Sequence, residues 1–248
     1  MNANLIAAIV FGSTSCGAVL GMLIAKRVPA HHLSSESRDV IKLALGTVAT
    51  LSALVIGLLI STEKTFLDTK DSELREFSAN LILLDRQLVH YGPDAQDARQ
   101  LLKRYARYQL DVTWETSRST ADPNGWRLLE DVQDRVRALT PAGDAQHWLQ
   151  SRALEISGAL AKTRWLLAAQ TDRSISPTFL FLLVFWLAAI FTSLGLFTPL
   201  NTTVIAALVV CALSVSGAIF LMLEMDTPFD GLIQISSGPL RDALAHLG

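Results

Sequence analysis

Leu43-Ala44-Leu45-Gly46-Thr47-Val48-Ala49-Thr50-Leu51-Ser52-Ala53-Leu54-Val55-Ile56-Gly57-Leu58-Leu59-Ile60 contains no ionisable side chain. The next residues, Ser61-Thr62-Glu63-Lys64-Thr65-Phe66-Leu67-Asp68, turn polar but hold nothing that stops a helix. An uncharged block of this length approaches the roughly 20 residues a helix needs to cross about 30 Å of hydrocarbon. Lipid offers backbone N–H and C=O groups no partners, so a helix is the form the block takes. Beyond Ile60 there is neither Pro nor Gly until Gly92. Leu67, Leu74, Phe77, Leu81, Leu84 and Leu88 recur along that stretch at the spacing of an amphipathic helix. The reading predicts one unbroken helix of about 48 residues, roughly 70 Å at about 1.5 Å per residue. It leaves the bilayer as a stalk and stops at Tyr91-Gly92-Pro93.

Three further uncharged apolar blocks lie at residues 5–25, 178–197 and 204–223. The chain has 248 residues, 50% of them hydrophobic and 18% charged, where a soluble domain carries roughly 25% charged residues. Its mean hydropathy is +0.36. Residues 62–176, the long polar remainder, are too few to enclose four apolar helices. Met1-Asn2-Ala3-Asn4 lacks the Lys or Arg of a secretory signal, and Lys26-Arg27 follows the first block as an interfacial anchor would. The block is therefore read as a retained membrane helix.

The expected fold is all-α: a polytopic membrane protein with four transmembrane helices and a soluble helical bundle inserted between the second and third. The expected boundaries are 1–61 for the first membrane hairpin, 62–176 for the bundle, 177–223 for the second hairpin, and 224–248 for an acidic turn and amphipathic tail. Within the bundle, a helix is expected over 94–117 with Asp94 as its cap. Another over 126–139 turns Leu128, Leu129, Val132, Val136 and Leu139 inward. A third over 145–170 carries Trp148, Leu149, Ala153, Ile156, Leu160 and Leu167 as an apolar stripe. Ala121-Asp122-Pro123-Asn124-Gly125 and Thr140-Pro141-Ala142-Gly143-Asp144 read as the turns between them. Ser176-Pro177 opens the third membrane helix, and Asn201 or Thr202 caps the fourth. Gly17 and Gly21 have GxxxG spacing, and Gly46, Ala49, Ala53 and Gly57 share a face of the second helix. Such small faces allow close helix approach, within a subunit or across an interface.

Nothing in the chain converges on a catalytic arrangement: there is no G-x-S-x-G, H-E-x-x-H, Walker loop or Cys-x-x-Cys. An enzyme is not expected. Cys16 and Cys211 sit inside apolar blocks as small apolar side chains. His31 and His32 are adjacent, so they point to different helix faces, and no Cys or acidic cluster completes a metal site. Tyr105 and Tyr108, with Lys103, Arg104 and Arg107, resemble a basic aromatic surface. A formal net charge of −2 argues against a nucleic-acid partner. Asp85 and Arg86 cannot face each other along one helix and look to neighbouring helices or subunits.

Two stretches carry candidate function. In Leu223-Glu224-Met225-Asp226-Thr227-Pro228-Phe229-Asp230-Gly231, the fourth helix meets three carboxylates at its C-terminal end, where the helix dipole prefers cations. Water, basic side chains of the bundle, or a hard cation (Ca²⁺ or Mg²⁺) on Glu224, Asp226 and Asp230 would compensate them. All three readings stay open. The tail over 240–247 is expected to pack on the bundle.

The second stretch is the uncharged block of residues 43–60. The membrane blocks hold no charge that would mark a proton relay or charged transport site. A pore can work without one, through an apolar constriction that opens by wetting. Thr50, Leu54 and Leu58 of the second helix are the pore and gate candidates. The same residues would serve a closely packed scaffold whose bundle binds another protein.

Four crossings place the bundle and both termini on one side. Lys64, Lys70, Arg75, Lys162, Arg164, Arg173 and Arg241 lie on that side, against Lys26, Arg27, Arg38 and Lys42 on the other. The count favours a cytoplasmic bundle, while the density of charge in the short 26–42 loop favours the reverse.

Several runs together resemble a family of bestrophin-like membrane proteins grouped as a domain of unknown function. They are Ser37-Arg38-Asp39-Val40-Ile41-Lys42, the helix Leu51 to Ser61, and Ala79-Asn80-Leu81-Ile82-Leu83-Leu84-Asp85-Arg86 with His90-Tyr91-Gly92-Pro93. The stretch from Ala212 through Glu224, Asp226, Pro228-Phe229 and Gly231, ending in Ile235-Ser236-Ser237 and Pro239-Leu240-Arg241, belongs with them. The likeness covers nearly the whole chain. More distantly the chain resembles the bestrophin anion channels, oligomers with four helices per subunit around a pore. That likeness implies a homo-oligomer, five subunits by analogy, inorganic anions as the permeating species, and a cytoplasmic bundle on a bacterial inner membrane. It also implies an acidic Ca²⁺ site after the fourth helix. Here, however, Glu224 and Asp226 precede Pro228-Phe229 instead of following it.

Overall fold

The computed structural model describes residues 2–27, 35–114, 125–169, 177–197 and 201–247. His31, His32, Asp122 with the rest of the 121–124 turn, Ser176 and residues 198–200 lie outside the described residues. Eight α-helices follow one another among those described: α1 (Ala3–Ala25), α2 (Ser35–Tyr91), α3 (Gln96–Trp114), α4 (Leu128–Arg137), α5 (Asp144–Ala169), α6 (Pro177–Phe197), α7 (Thr202–Met225) and α8 (Gly238–His246). Short 3₁₀ turns at Pro93–Ala95 and Gly125–Arg127 lead into α3 and α4. The fold is all-α, and α1, α2, α6 and α7 are each long and apolar enough to cross a membrane.

Helix α2 is one helix of 57 residues, longer than expected because it already begins at Ser35. It ends where Gly92 adopts φ 118°, a conformation an L side chain resists, and Pro93 then starts the 3₁₀ turn. Asp94 lies inside that turn, so α3 starts later than expected, at Gln96. Asn201 occupies the N-cap of α7 in extended conformation without a side-chain capping bond.

The chain divides into two compact units, residues 1–66 with 174–227 and residues 67–173 with 228–248. In the first, α1 packs on α6 and α7. Val10, Leu183, Leu187, Ile219, Met222 and Leu223 form its core, with Val55, Ile56, Leu59 and Ile60 of α2 against it. Glycine sets the approach of α1 and α6. A Cβ on Gly17 would stand 2.9 Å from the Ala188 carbonyl oxygen and from Thr192 Oγ1. One on Gly21 would collide with the Thr192 carbonyl, and one on Gly195 with that of Ala18. The GxxxG pair of α1 therefore packs inside the subunit. Gly46 and Gly57 of α2 differ, because a Cβ on either would meet nothing within 4 Å. Two buried hydroxyls in this unit are satisfied by their own helices: Thr14 donates to the Val10 carbonyl at 2.8 Å and Ser216 to that of Ala212 at 2.7 Å.

The second unit is a bundle of the C-terminal part of α2 with α3, α4, α5 and α8. Phe77, Leu81, Leu84 and Leu88 of α2 are buried with Leu102 and Tyr105 of α3, Val132 and Val136 of α4, and Ile156 and Leu160 of α5. Burial of each large apolar side chain contributes about 1.5–3 kcal/mol, so this stripe supplies most of the drive to fold. Leu240 and Leu247, in and just after α8, join the same core, which is why the tail packs on the bundle. Two glutamines of α5 satisfy carbonyls left over at helix ends: Gln146 donates to Tyr91 at 3.0 Å, and Gln150 to Val136 and Leu139, each at 2.9 Å.

Two further expectations are corrected by the structure. Trp148 is 63% exposed, not part of the apolar stripe of α5. At about 100° per residue it lies some 140° round the helix from Ala153, which is buried. Tyr105 is fully buried, edge-on to Phe77 at 6.1 Å between ring centroids, so α3 presents no surface of paired tyrosines. Burial pushes its phenol well above the usual range, while the nearby Arg164 guanidinium acts in the opposite sense.

Candidate functional site

Thr50, Leu54 and Leu58 recur every four residues, so they lie along one side of α2. All three are exposed, Leu54 at 59% and Leu58 at 60%. The other side of the same helix carries Ser52, which is buried, and the residues that meet the core of the first unit. The structure thus brings the three pore candidates together on a face that no part of their own unit covers. Among the four membrane helices, α2 is the one whose apolar stretch is least buried inside the subunit. Gly57, Ser61, Thr62 and Thr65 continue the exposed face.

The hydroxyls on this face bond backward along their own helix. Thr47 donates to the Leu43 carbonyl at 3.2 Å, Thr50 to Gly46 at 2.8 Å, Thr62 to Leu58 at 2.9 Å and Thr65 to Ser61 at 2.8 Å. A threonine one turn above its acceptor carbonyl reaches it without straining the helix.

At the acidic turn, α7 ends at Met225 with Asp226 as its C-cap. Glu224 is buried, Asp226 half-buried and Asp230 exposed, and each engages another group of the chain. The Glu224 carbonyl accepts from the Thr227 backbone N–H and hydroxyl, both at 3.3 Å. Among the described residues, no group of three or more His, Cys, Asp or Glu is arranged to hold a metal ion.

Directly after the turn comes a latch that sequence reasoning missed. The Ile235 N–H donates to the Pro228 carbonyl at 2.8 Å and closes a loop in which Gly231 takes φ 98°. Trp114, the last residue of α3, holds this loop twice. Its indole Nε1–H donates to the Ile235 carbonyl at 3.0 Å, and Phe229 stands edge-on to its ring at 5.4 Å and 88°. Sequence alone offers only a weak signal for this pair, an indole at a helix end and a phenylalanine in a turn.

Lys70 was likewise invisible as anything but a stalk charge. It is 2% exposed, and its Nζ lies 3.1 Å from Glu73 Oε2 and 3.2 Å from the Leu166 carbonyl near the end of α5. A cation there suits the negative end of the α5 dipole. Asp85 finds Arg99 of α3 across the bundle, whereas Arg86 is exposed. His90 and His147 are exposed as well.

The profile of the Bestrophin-like domain matches residues 12–240 of this sequence. No curated protein sequence matches it. A solved structure, described as a crystal structure of a membrane protein, aligns with a TM-score of 0.64 over 97% of both chains at 12% identity. Likeness at that identity speaks for the fold alone, and it extends through membrane helices and bundle together.

Proposed function

The chain belongs to the bestrophin-like family, and on that premise we propose that it is an oligomeric membrane channel whose ion pathway runs between copies of α2. It is an integral membrane protein, held in the bilayer by α1, α2, α6 and α7. One observation carries the channel reading: Thr50, Leu54 and Leu58 share an exposed face on the membrane helix that its own subunit covers least. In a ring of subunits that face turns to the axis. Leu54 and Leu58 then form an apolar constriction that conducts only when wetted. Five copies, a bacterial inner membrane and a cytoplasmic bundle follow from the family likeness. The test is flux through sealed liposomes carrying the purified full-length chain. Leu54→Ser and Leu58→Ser raise basal conductance by easing wetting. Silence from wild type and both variants, with folding and insertion intact, ends the channel reading.

A second reading has its own observation. Trp148 and Trp165 stand 63% and 65% exposed on α5. Large exposed indoles suit a protein-binding face, as expected of a scaffold whose bundle recruits a partner without permeation.

A further inference from the structure

The hydroxyls on the exposed face of α2 are arranged as acceptors, not donors. A backbone carbonyl can only accept, so the hydroxyl hydrogens of Thr47, Thr50, Thr62 and Thr65 point into the helix at Leu43, Gly46, Leu58 and Ser61. The Thr47, Thr50 and Thr62 oxygens keep their remaining lone-pair capacity for whatever lies outside, while Thr65 already engages a further group of the chain. Between Lys42 and Lys64 the exposed side of α2 carries no charge, and Glu63 is half-buried. Lys64 and Asp68 follow with opposite signs, both exposed and both engaged with other groups of the chain. Between Lys42 and Lys64, where Thr47, Thr50 and Thr62 sit, the exposed side of α2 carries no positive charge.

A permeating ion exchanges water for what the wall offers. A cation takes the outward lone pairs as they stand. An anion needs O–H donors, and each must first break its bond to a carbonyl. We infer that the α2 face, through Thr47, Thr50 and Thr62, selects small monovalent cations over anions, against the anion preference that the wider resemblance implies. This rests on the proposed channel and deepens it by naming the permeating class.

The experiment is the reversal potential of the full-length protein in planar bilayers under a potassium chloride gradient, with flux in sealed liposomes alongside. Wild type reverses near the potassium potential. Thr50→Val and Thr62→Val keep side-chain shape but remove the oxygen, and together they lower the cation-to-anion permeability ratio about fivefold, roughly one hydrogen bond's worth. Thr50→Ser and Thr62→Ser retain an oxygen and restore the ratio, which separates the lost acceptor from a disturbed fold. Current reversing at the chloride potential overturns this inference and leaves the channel standing. An unchanged ratio in the valine variants does the same. Silence from wild type, Leu54→Ser and Leu58→Ser alike overturns the channel itself and this inference with it.

Discussion

Arg99 grips Asp85 with two nitrogens, Nε to Oδ1 at 2.8 Å and Nη2 to Oδ2 at 3.3 Å. The carboxylate is nearly closed to water, at 4% side-chain exposure, while the guanidinium keeps 22%. The pair joins α2 to α3 across the bundle. Removing Asp85 strands a partly buried cation, so Asp85→Ala costs about 2–4 kcal/mol, toward the lower end of buried pairs because Arg99 retains some water. Arg99→Lys loses the forked geometry and costs part of that. Chemical denaturation of the full chain in detergent, followed by circular dichroism, measures both. An Asp85→Ala protein as stable as wild type refutes the assignment.

The glycines of the first unit make opposite predictions on two helices. Gly21→Ala and Gly195→Ala each put a methyl group into a backbone carbonyl of the facing helix. Each destabilises by about 1–3 kcal/mol, as overpacking does. Gly46→Ala and Gly57→Ala enter open space and, as Gly-to-Ala changes inside a helix, each stabilise the subunit by about 0.5–1 kcal/mol. If those two instead weaken the oligomer, measured by crosslinking in membranes, they locate the surface between subunits.

Trp114→Phe removes the indole donor to the Ile235 carbonyl and keeps an aromatic ring beside Phe229. The loss is about 1 kcal/mol. Its signature is local: limited proteolysis cuts between Pro228 and Ile235 faster in the variant, while bundle unfolding barely moves. Equal cutting rates mean that the latch does not hold the loop.

Tyr105 gives the bundle an alkaline limit. Its phenol is held neutral above the usual pKa, chiefly by burial and partly offset by Arg164. Below about pH 10 the folded and unfolded phenols are both neutral and stability is whole. Above it the unfolded phenol ionises first, so stability falls by up to about 1.4 kcal/mol per pH unit. Comparing Tyr105→Phe with wild type near pH 9 and pH 11 isolates this slope, which the variant lacks.

Helix content was legible because spacing along one segment determines it. Leu74, Phe77, Leu81, Leu84 and Leu88 showed the buried side of α2, and the structure buries all five. Thr50, Leu54 and Leu58 were readable as a set for the same reason. Relations between distant segments were not. Lys70 lies between Leu67 and Leu74 on the apolar side, and its bond to the Leu166 carbonyl, 96 residues away, was not visible from that spacing. Trp114 needs Ile235, 121 residues away, before its N–H has a meaning. Gly17 and Gly21 announced a close neighbour without saying that it is α6 and not α2.

That last pairing bears on how the protein is made. Gly17 and Gly195 belong to the same helix contact, yet the ribosome reaches the second 178 residues after the first, by subtraction (195 − 17). At about 5–20 residues per second, α1 waits roughly 9–36 s for its partner. During that interval its glycine groove has only lipid or the insertion machinery to cover it. The membrane half of the subunit is therefore completed only after α3, α4 and α5 of the bundle have been synthesised, and α8 of the bundle follows it. Gly21→Ala chains should accordingly accumulate on the insertion machinery as fully translated but unassembled protein.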